Sequence, residues 1–340
     1  MSTASQDMTG VKMLRIDDIV ERAAETVARC NLGSPGSYRR WAEGGEPGVN
    51  PYGCADAANI LYTIGRFPGE PEERAGWVAA LRGLQDPTDG LYRESTHHPV
   101  HTTAHCVAAL ELFDARPERP LSGLHRYLAP DALHSYLGKL EWRSNPWRAS
   151  HQGAGLYAAL VVAGEASPDW EEAYFSWFAG QADPATGLWR RGQVAPVPHN
   201  GVATLMPHLA GTFHYLFNHE YARRPLPFPA SLVDTCLAVR AEGAFPLARR
   251  VGFAEVDWVY CLNRALRQSH HRATACRAAL EAFTEEYVGF LRTPEADEGL
   301  LDLHQCFGVL CALAELQAAL PGMVRTAVPL RLVLDRRPFI

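Results

Sequence analysis

The chain has 340 residues, 47% hydrophobic and 21% charged, with a formal net charge of −6 at pH 7. That balance suits a globular protein and argues against nucleic-acid or anionic-membrane partners, both of which need a basic face. No run approaches the roughly 18–20 uncharged apolar residues of a membrane span, and the start, MSTASQDMTGVKMLRIDD, lacks the basic beginning and apolar core of a secretory signal. A cytoplasmic chain is therefore expected, with its eight scattered cysteines, free of any CxxC pair, as reduced core thiols.

Residues 1–12 read as a flexible N-terminus. Beyond them two kinds of helical segment alternate, twelve in all, and no run shows the period-two pattern of a strand. IDDIVERAAETVARC (16–30) is strongly amphipathic, whereas ADAANILYTIG (55–65) is apolar nearly all round. PEERAGWVAALRGLQ (71–85) and TTAHCVAALELF (102–113) repeat the contrast, and HQGAGLYAALVVAG (151–164) is again apolar. The alternation continues through DWEEAYFSWFAGQA (169–182), GTFHYLFNHEY (211–221) and ASLVDTCLAVRA (230–241). VDWVYCLNRAL (256–266) and HQCFGVLCALAEL (304–316) complete the apolar set.

A helix apolar on every side is buried on every side, so the alternation predicts two concentric layers. The polar anchors of the apolar set, Asp56, His105, His151, His214, Asp257 and His304, recur about every 43–63 residues, the size of a helical hairpin. Six such hairpins use nearly the whole chain and point to one all-α domain over 1–340, a closed (α/α)6 barrel or toroid, with residues 322–340 as a C-terminal tail packed on it. The longer connections, such as NLGSPGSYRRWAEGGEPGVNPYG and QDPTDGLYRESTHHPVH, precede the apolar helices. They would gather at one mouth, where function usually sits.

The junctions LRGLQDPTDGLY and FAGQADPATGLW resemble those of six-hairpin glycosidases and related uronyl hydrolases. WVAALRGLQDPTDG, EGAF with EVDWVYCL, and DLHQCFGVLCAL resemble repeats of the protein prenyltransferase β subunits and terpenoid cyclases. Both resemblances imply the toroid. The prenyltransferase likeness would place zinc on Asp257 and His304, but Val259 stands where its cysteine belongs and Cys261 is displaced. The cyclase acid motif DxDD is absent.

THHPVHTTAHC holds His97, His98, His101 and His105. His101 and His105, four apart, can share a helix face and supply an acid and a base or a metal pair. Thr102 and Thr103 would otherwise cap that helix, as Ser150 would cap the one carrying His151. Asp56 reads as a cap, and Asp257, among Val256, Trp258 and Val259, as a buried acid with a raised pKa. The candidate catalytic set is thus His101, His105, His151, His214, Asp257 and His304. Tyr52, Arg93, Trp147, Arg148, Trp189, Arg190 and Trp258 are the candidate substrate contacts, since loop arginines and aromatic rings near one mouth suit an anionic small molecule. No cofactor is expected; zinc is the alternative, on His101 and His105 with His304 or Asp257 as third ligand.

The first functional expectation is an intracellular carbohydrate-active enzyme, a hydrolase, lyase or epimerase, using His/Asp acid–base chemistry on an anionic or modified sugar. The alternatives are a prenyltransferase or terpenoid-cyclase relative with a diphosphate substrate, and a non-catalytic toroid that binds a ligand or partner.

Overall fold

The computed structural model describes residues 12–199 and 201–340. The expected flexible N-terminus therefore lies, Lys12 apart, outside the described residues. In chain order the α-helices are α1 (Asp17–Cys30), α2 (Pro51–Thr63), α3 (Pro71–Gly83), α4 (Pro99–Glu111), α5 (Pro130–Lys139), α6 (Pro146–Ala163) and α7 (Pro168–Gln181). They continue as α8 (Met206–Tyr221), α9 (Pro229–Glu242), α10 (Ala254–Ser269), α11 (Ala273–Phe290), α12 (Pro294–Leu300), α13 (Leu303–Ala319) and α14 (Val333–Arg336). The strands are short: Leu14–Arg15 pairs in parallel with Val324–Arg325, and Val197–His199 pairs with Val202–Thr204 in an antiparallel ribbon. The protein is thus all-α in character, and none of its described helices is long and apolar enough to cross a membrane.

The burial pattern follows the sequence pattern. In α1 the buried positions Ile19, Val20, Ala23, Val27 and Cys30 form one stripe at helical spacing. In α4 every residue from Val100 to Leu110 is buried. The helices buried all round are α2, α4, α6, α8, α10 and α13. Each packs on the next, and α13 packs on α2, so the sequence of contacts returns to its start.

Gly153 and Gly211 bring α6 and α8 close. A Cβ on Gly211 would sit 2.9 Å from the Pro146 carbonyl oxygen, and one on Gly153 would sit 2.6 Å from the Tyr215 hydroxyl. Helix-interior glycine costs roughly 1 kcal/mol against alanine; here it admits the neighbour that carries His214. All eight cysteines are buried and free.

Several fully buried helices begin earlier than their apolar text suggests, because Pro51, Pro99 and Pro146 take the first helical position, where a missing N–H costs nothing. The caps differ from expectation accordingly. Asn50 caps α2, His98 caps α4 through its Nδ1, and Asn145 caps α6. Asp56, Thr102, Thr103 and Ser150 lie inside their helices, so none of the four is the cap. Asp56 is left free for chemistry with its neighbours.

The tail does more than lie on the outside. α14 touches both α2 and α8, which stand opposite each other in the cycle of contacts. Beyond it Arg337, Phe339 and Ile340 are buried, with the Phe339 ring 4.8 Å from that of His101 and 5.7 Å from Phe217.

Candidate functional site

A cavity of about 530 Å³ opens among the starting ends of the fully buried helices and the loops that lead into them. His101 of α4, Trp147, Arg148 and His151 of α6, His214 of α8, Glu255 of α10 and His304 of α13 line it. Arg40, the loop residues Thr96 to His98, and Phe245 with Arg250 to Phe253 close its rim, and Ile340 contributes from the tail.

Two sets of three side chains lie in this wall, each bringing its ligand atoms within 4.8 Å of one another. The first is Asp56, His105 and His304. His105 Nε2 lies 2.7 Å from Asp56 Oδ1, and His304 Nδ1 lies 3.3 Å from the same oxygen. Burial alone would raise the Asp56 pKa, but the charges and hydrogen bonds of His304 and His105 outweigh it and hold the carboxyl well below the usual range. Burial holds both histidines toward the neutral form, His304 at about 4, against the pull of Asp56. The carboxylate and the two imidazoles thus form one hydrogen-bonded cluster in which Asp56 is held ionised.

The second set is His101, His151 and His214. Ring centroids lie 4.4 Å apart for His101 and His151 and 4.8 Å apart for His151 and His214. His214 Nδ1 sits 3.0 Å from the Ala210 carbonyl oxygen and 3.2 Å from Ser150 Oγ, and His101 Nδ1 pairs with the Tyr52 hydroxyl. Burial, then the neighbouring histidines, pushes His101 and His151 well below the ordinary imidazole range; burial takes His214 to about 3.

Arg40 enters the wall already committed. Its guanidinium makes a bidentate pair with Asp302 at 2.9 Å on both arms, and both side chains are buried. Asp302 in turn accepts from the His304 backbone N–H and caps α13. Arg148 and Arg250 are exposed at the rim, and among the described residues neither has a carboxylate at ion-pair distance.

Glu255 carries the most useful carboxyl. It is buried, faces the cavity, and has no side-chain hydrogen-bond partner for either oxygen. Burial raises its pKa to about 7, only partly opposed by its own backbone N–H, by Arg250 and by the backbone N–H of Ala248. A carboxyl poised there can donate or accept a proton near neutral pH.

The structure brings His101, His151, His214 and His304 together at the cavity and seats His105 one layer deeper, behind Tyr52, whose ring stacks on it at 4.8 Å. His101 and His105 do not act as a pair: one turn of helix separates them into different sets. Asp257, expected among the catalytic groups, does not line the cavity; it is buried beside Glu255 without a hydrogen-bond partner, and burial, then the Glu255 charge, pushes its pKa well above the usual carboxyl range.

Of the expected substrate contacts, Trp147 and Arg148 line the cavity. Tyr52 is fully buried behind the histidines. Arg93 pairs with Asp86 and Asp89 on the surface, because its loop folds back on its own acidic turn. Trp189 donates to the Phe178 carbonyl, Arg190 bonds Gln181 and Gly138, and Trp258 donates to the Cys236 carbonyl. Trp258 thus ties α10 to the outer α9, while Trp189 and Arg190 fasten the loop after α7 to the outer helices α7 and α5.

Glu255 escaped the sequence reading. A carboxylate in the first turn of GFAEVDWVY looks like an ordinary complement to the helix dipole, and its one available signal was the lack of any basic neighbour within a turn.

Comparison with protein-family models, curated proteins and solved structures finds no match. What the fold and site define is a class: an all-α protein with an acid, two sets of histidines and two rim arginines at one cavity. Its chemistry must be read from that site.

Proposed function

We propose that this chain is an (α/α)6 toroid enzyme that binds a small anionic, hydroxyl-rich substrate, of the uronate or sugar-phosphate kind, and moves a proton on it through Glu255. The observation that carries this reading is the convergence on one cavity of a buried Glu255 without a side-chain hydrogen-bond partner and the rim arginines Arg148 and Arg250. The cycle of helix contacts supports the toroid, with its loops gathered at the mouth. Arg148 and Arg250 would take the anionic group, since guanidinium matches carboxylate and phosphate geometry. Asn145 and Gln305 offer amides to hydroxyl groups, and Trp147 offers a flat face to a sugar ring.

Glu255 replaces Asp257 as the acid–base carboxyl. A standard glycosidase needs two carboxyl groups across the scissile bond, and the cavity wall supplies one. That favours a lyase or epimerase step, in which a single proton transfer beside a carboxylate is central. A prenyl diphosphate would use the same arginines but would need a deep apolar tunnel, where this wall presents imidazoles.

The test is thermal stabilisation of the purified chain by hexuronates, sugar phosphates and prenyl diphosphates. A ligand at 100 times its Kd adds about 2.7 kcal/mol. The expected response is to a uronate or sugar phosphate, lost in R148A/R250A. A response to prenyl diphosphate alone, or one indifferent to both arginines, overturns the proposal.

A further inference from the structure

The two histidine sets differ in how their polar atoms are satisfied. In the Asp56 set one carboxylate oxygen accepts from both imidazoles, while Asp56 Oδ2 and His105 Nδ1 have no hydrogen-bond partner among the described residues. In the second set no carboxylate takes part. The Ala210 carbonyl oxygen can only accept, so His214 Nδ1 carries the proton and Nε2 holds a lone pair. His101 Nδ1 is occupied by Tyr52, which leaves Nε2 as the nitrogen it can offer. His151 has no hydrogen bond to either nitrogen among the described residues and stands between the other two, at 4.4 and 4.8 Å by ring centroid. Three adjacent helices thus turn imidazole nitrogens toward one another with no carboxylate between them.

A cation placed between the three rings would use the nitrogens they turn toward one another.

We infer that His101, His151 and His214 bind a divalent transition-metal ion of the zinc class, with its fourth coordination position open to the cavity. The donor set supports the class: neutral imidazole suits zinc, copper and nickel, and three histidines with one open position is the pattern of a reactive rather than a sealed structural site. Bonds near 2.1 Å in tetrahedral geometry put ligand atoms roughly 3.4 Å apart, so nitrogens within 4.8 Å need only small side-chain movements to close on an ion. The outer contacts are also those of metal-binding histidines. A backbone carbonyl holds His214 and a phenol holds His101, each fixing ring orientation from behind. All three side chains line the cavity, which gives an ion a path in and a substrate oxygen a path to the ion. An ion there would supply a Lewis acid facing Glu255.

This assignment is independent of the substrate class proposed above, because it is read without substrate. The full chain is stripped with a chelator, checked for fold by circular dichroism, and titrated with Zn²⁺ by calorimetry and with Co²⁺ by visible absorption. The expected result is one ion per chain, with the intense cobalt bands of four-coordinate nitrogen ligation and a raised Tm. H151A and H214A should each weaken binding at least 100-fold. Y52F, which removes only the support behind His101, should weaken it by about 10-fold. H304A should bind as the parent does, which separates this set from the Asp56 set. H151A removes a half-buried, cavity-facing side chain and is the variant least able to harm the fold. No saturable uptake by the folded chain, or binding unchanged in H151A and H214A, overturns the assignment. Loss in H304A with retention in H151A overturns it too and moves the ion to Asp56.

Discussion

Asp56 and His105 lie sealed behind the cavity and bind His304, which reaches its wall, whereas His101, His151 and His214 face the cavity with no carboxylate among them. The difference is a single carboxylate. With it, two buried imidazoles gain an acceptor and become part of the framework. Without it, three imidazoles keep lone pairs that only a ligand can use. The same residue type, one helical turn deeper, changes from a reactive group into a structural one.

The sharpest way to break this contrast is D56A. It strips the acceptor from two buried donors and should destabilise the fold by about 1–3 kcal/mol for each, read by urea denaturation, as for a buried donor left without an acceptor. A loss near zero would mean that Asp56 does not organise the sealed set.

E255Q probes the cavity side with the opposite sign. The Glu255 pKa is raised in the folded chain to about 7 from an unfolded value of 4.5, so its contribution is full below pH 4.5 and is lost as pH climbs through 7. At pH 8 the folded state carries a buried charge, and E255Q should be more stable than the parent by on the order of 1–3 kcal/mol. The same substitution should cut turnover by 10²–10⁴-fold once a substrate is in hand. A stabilised but inactive variant is the signature of a carboxyl kept for chemistry, and a destabilised one would show it to be framework.

The histidines slope the other way. His304 and His219 each fall to about 4 from 6.5, chiefly by burial, so both are neutral in both states above pH 7. Between pH 6.5 and 4 the unfolded chain takes up protons that the folded chain refuses. Stability should then fall with pH at roughly 1.4 kcal/mol per pH unit for each histidine. In the parent the Glu255 contribution partly cancels this between pH 4.5 and 6.5. The E255Q variant should therefore show the steeper acid loss in chemical denaturation at stepped pH, measured with chelator present. The smallest effect belongs to H151A, which breaks no hydrogen bond and should change metal-free stability by no more than about 0.5 kcal/mol.

The helical alternation was legible because it is a matter of local period. A stripe of apolar residues, as in α1, faces one neighbour, and an apolar text all round, as in α4, is enclosed. The cavity end was legible too, since long connections precede the fully buried helices and His151 and His304 lie near the starts of theirs, with His214 about two turns into α8. Helix beginnings were less so: Pro51, Pro99 and Pro146 with their preceding caps extend each helix by several residues, and that extension displaces Asp56 and Ser150 from the ends.

Partnership across helices lay beyond the sequence. Spacing places His101 and His105 on one face, but only the depth at which α4 packs between α2 and α6 sends one to Asp56 and the other to His151 and His214. Glu255 and Asp257 look alike in one dimension, and the rotation of α10 turns the first to the cavity and the second into the wall. Composition and period are properties of neighbours along the chain, so they determined helices, layers and the face that carries function. Protonation, pairing and metal affinity depend on distances between residues tens to hundreds of positions apart, and those were decided only when the helices packed.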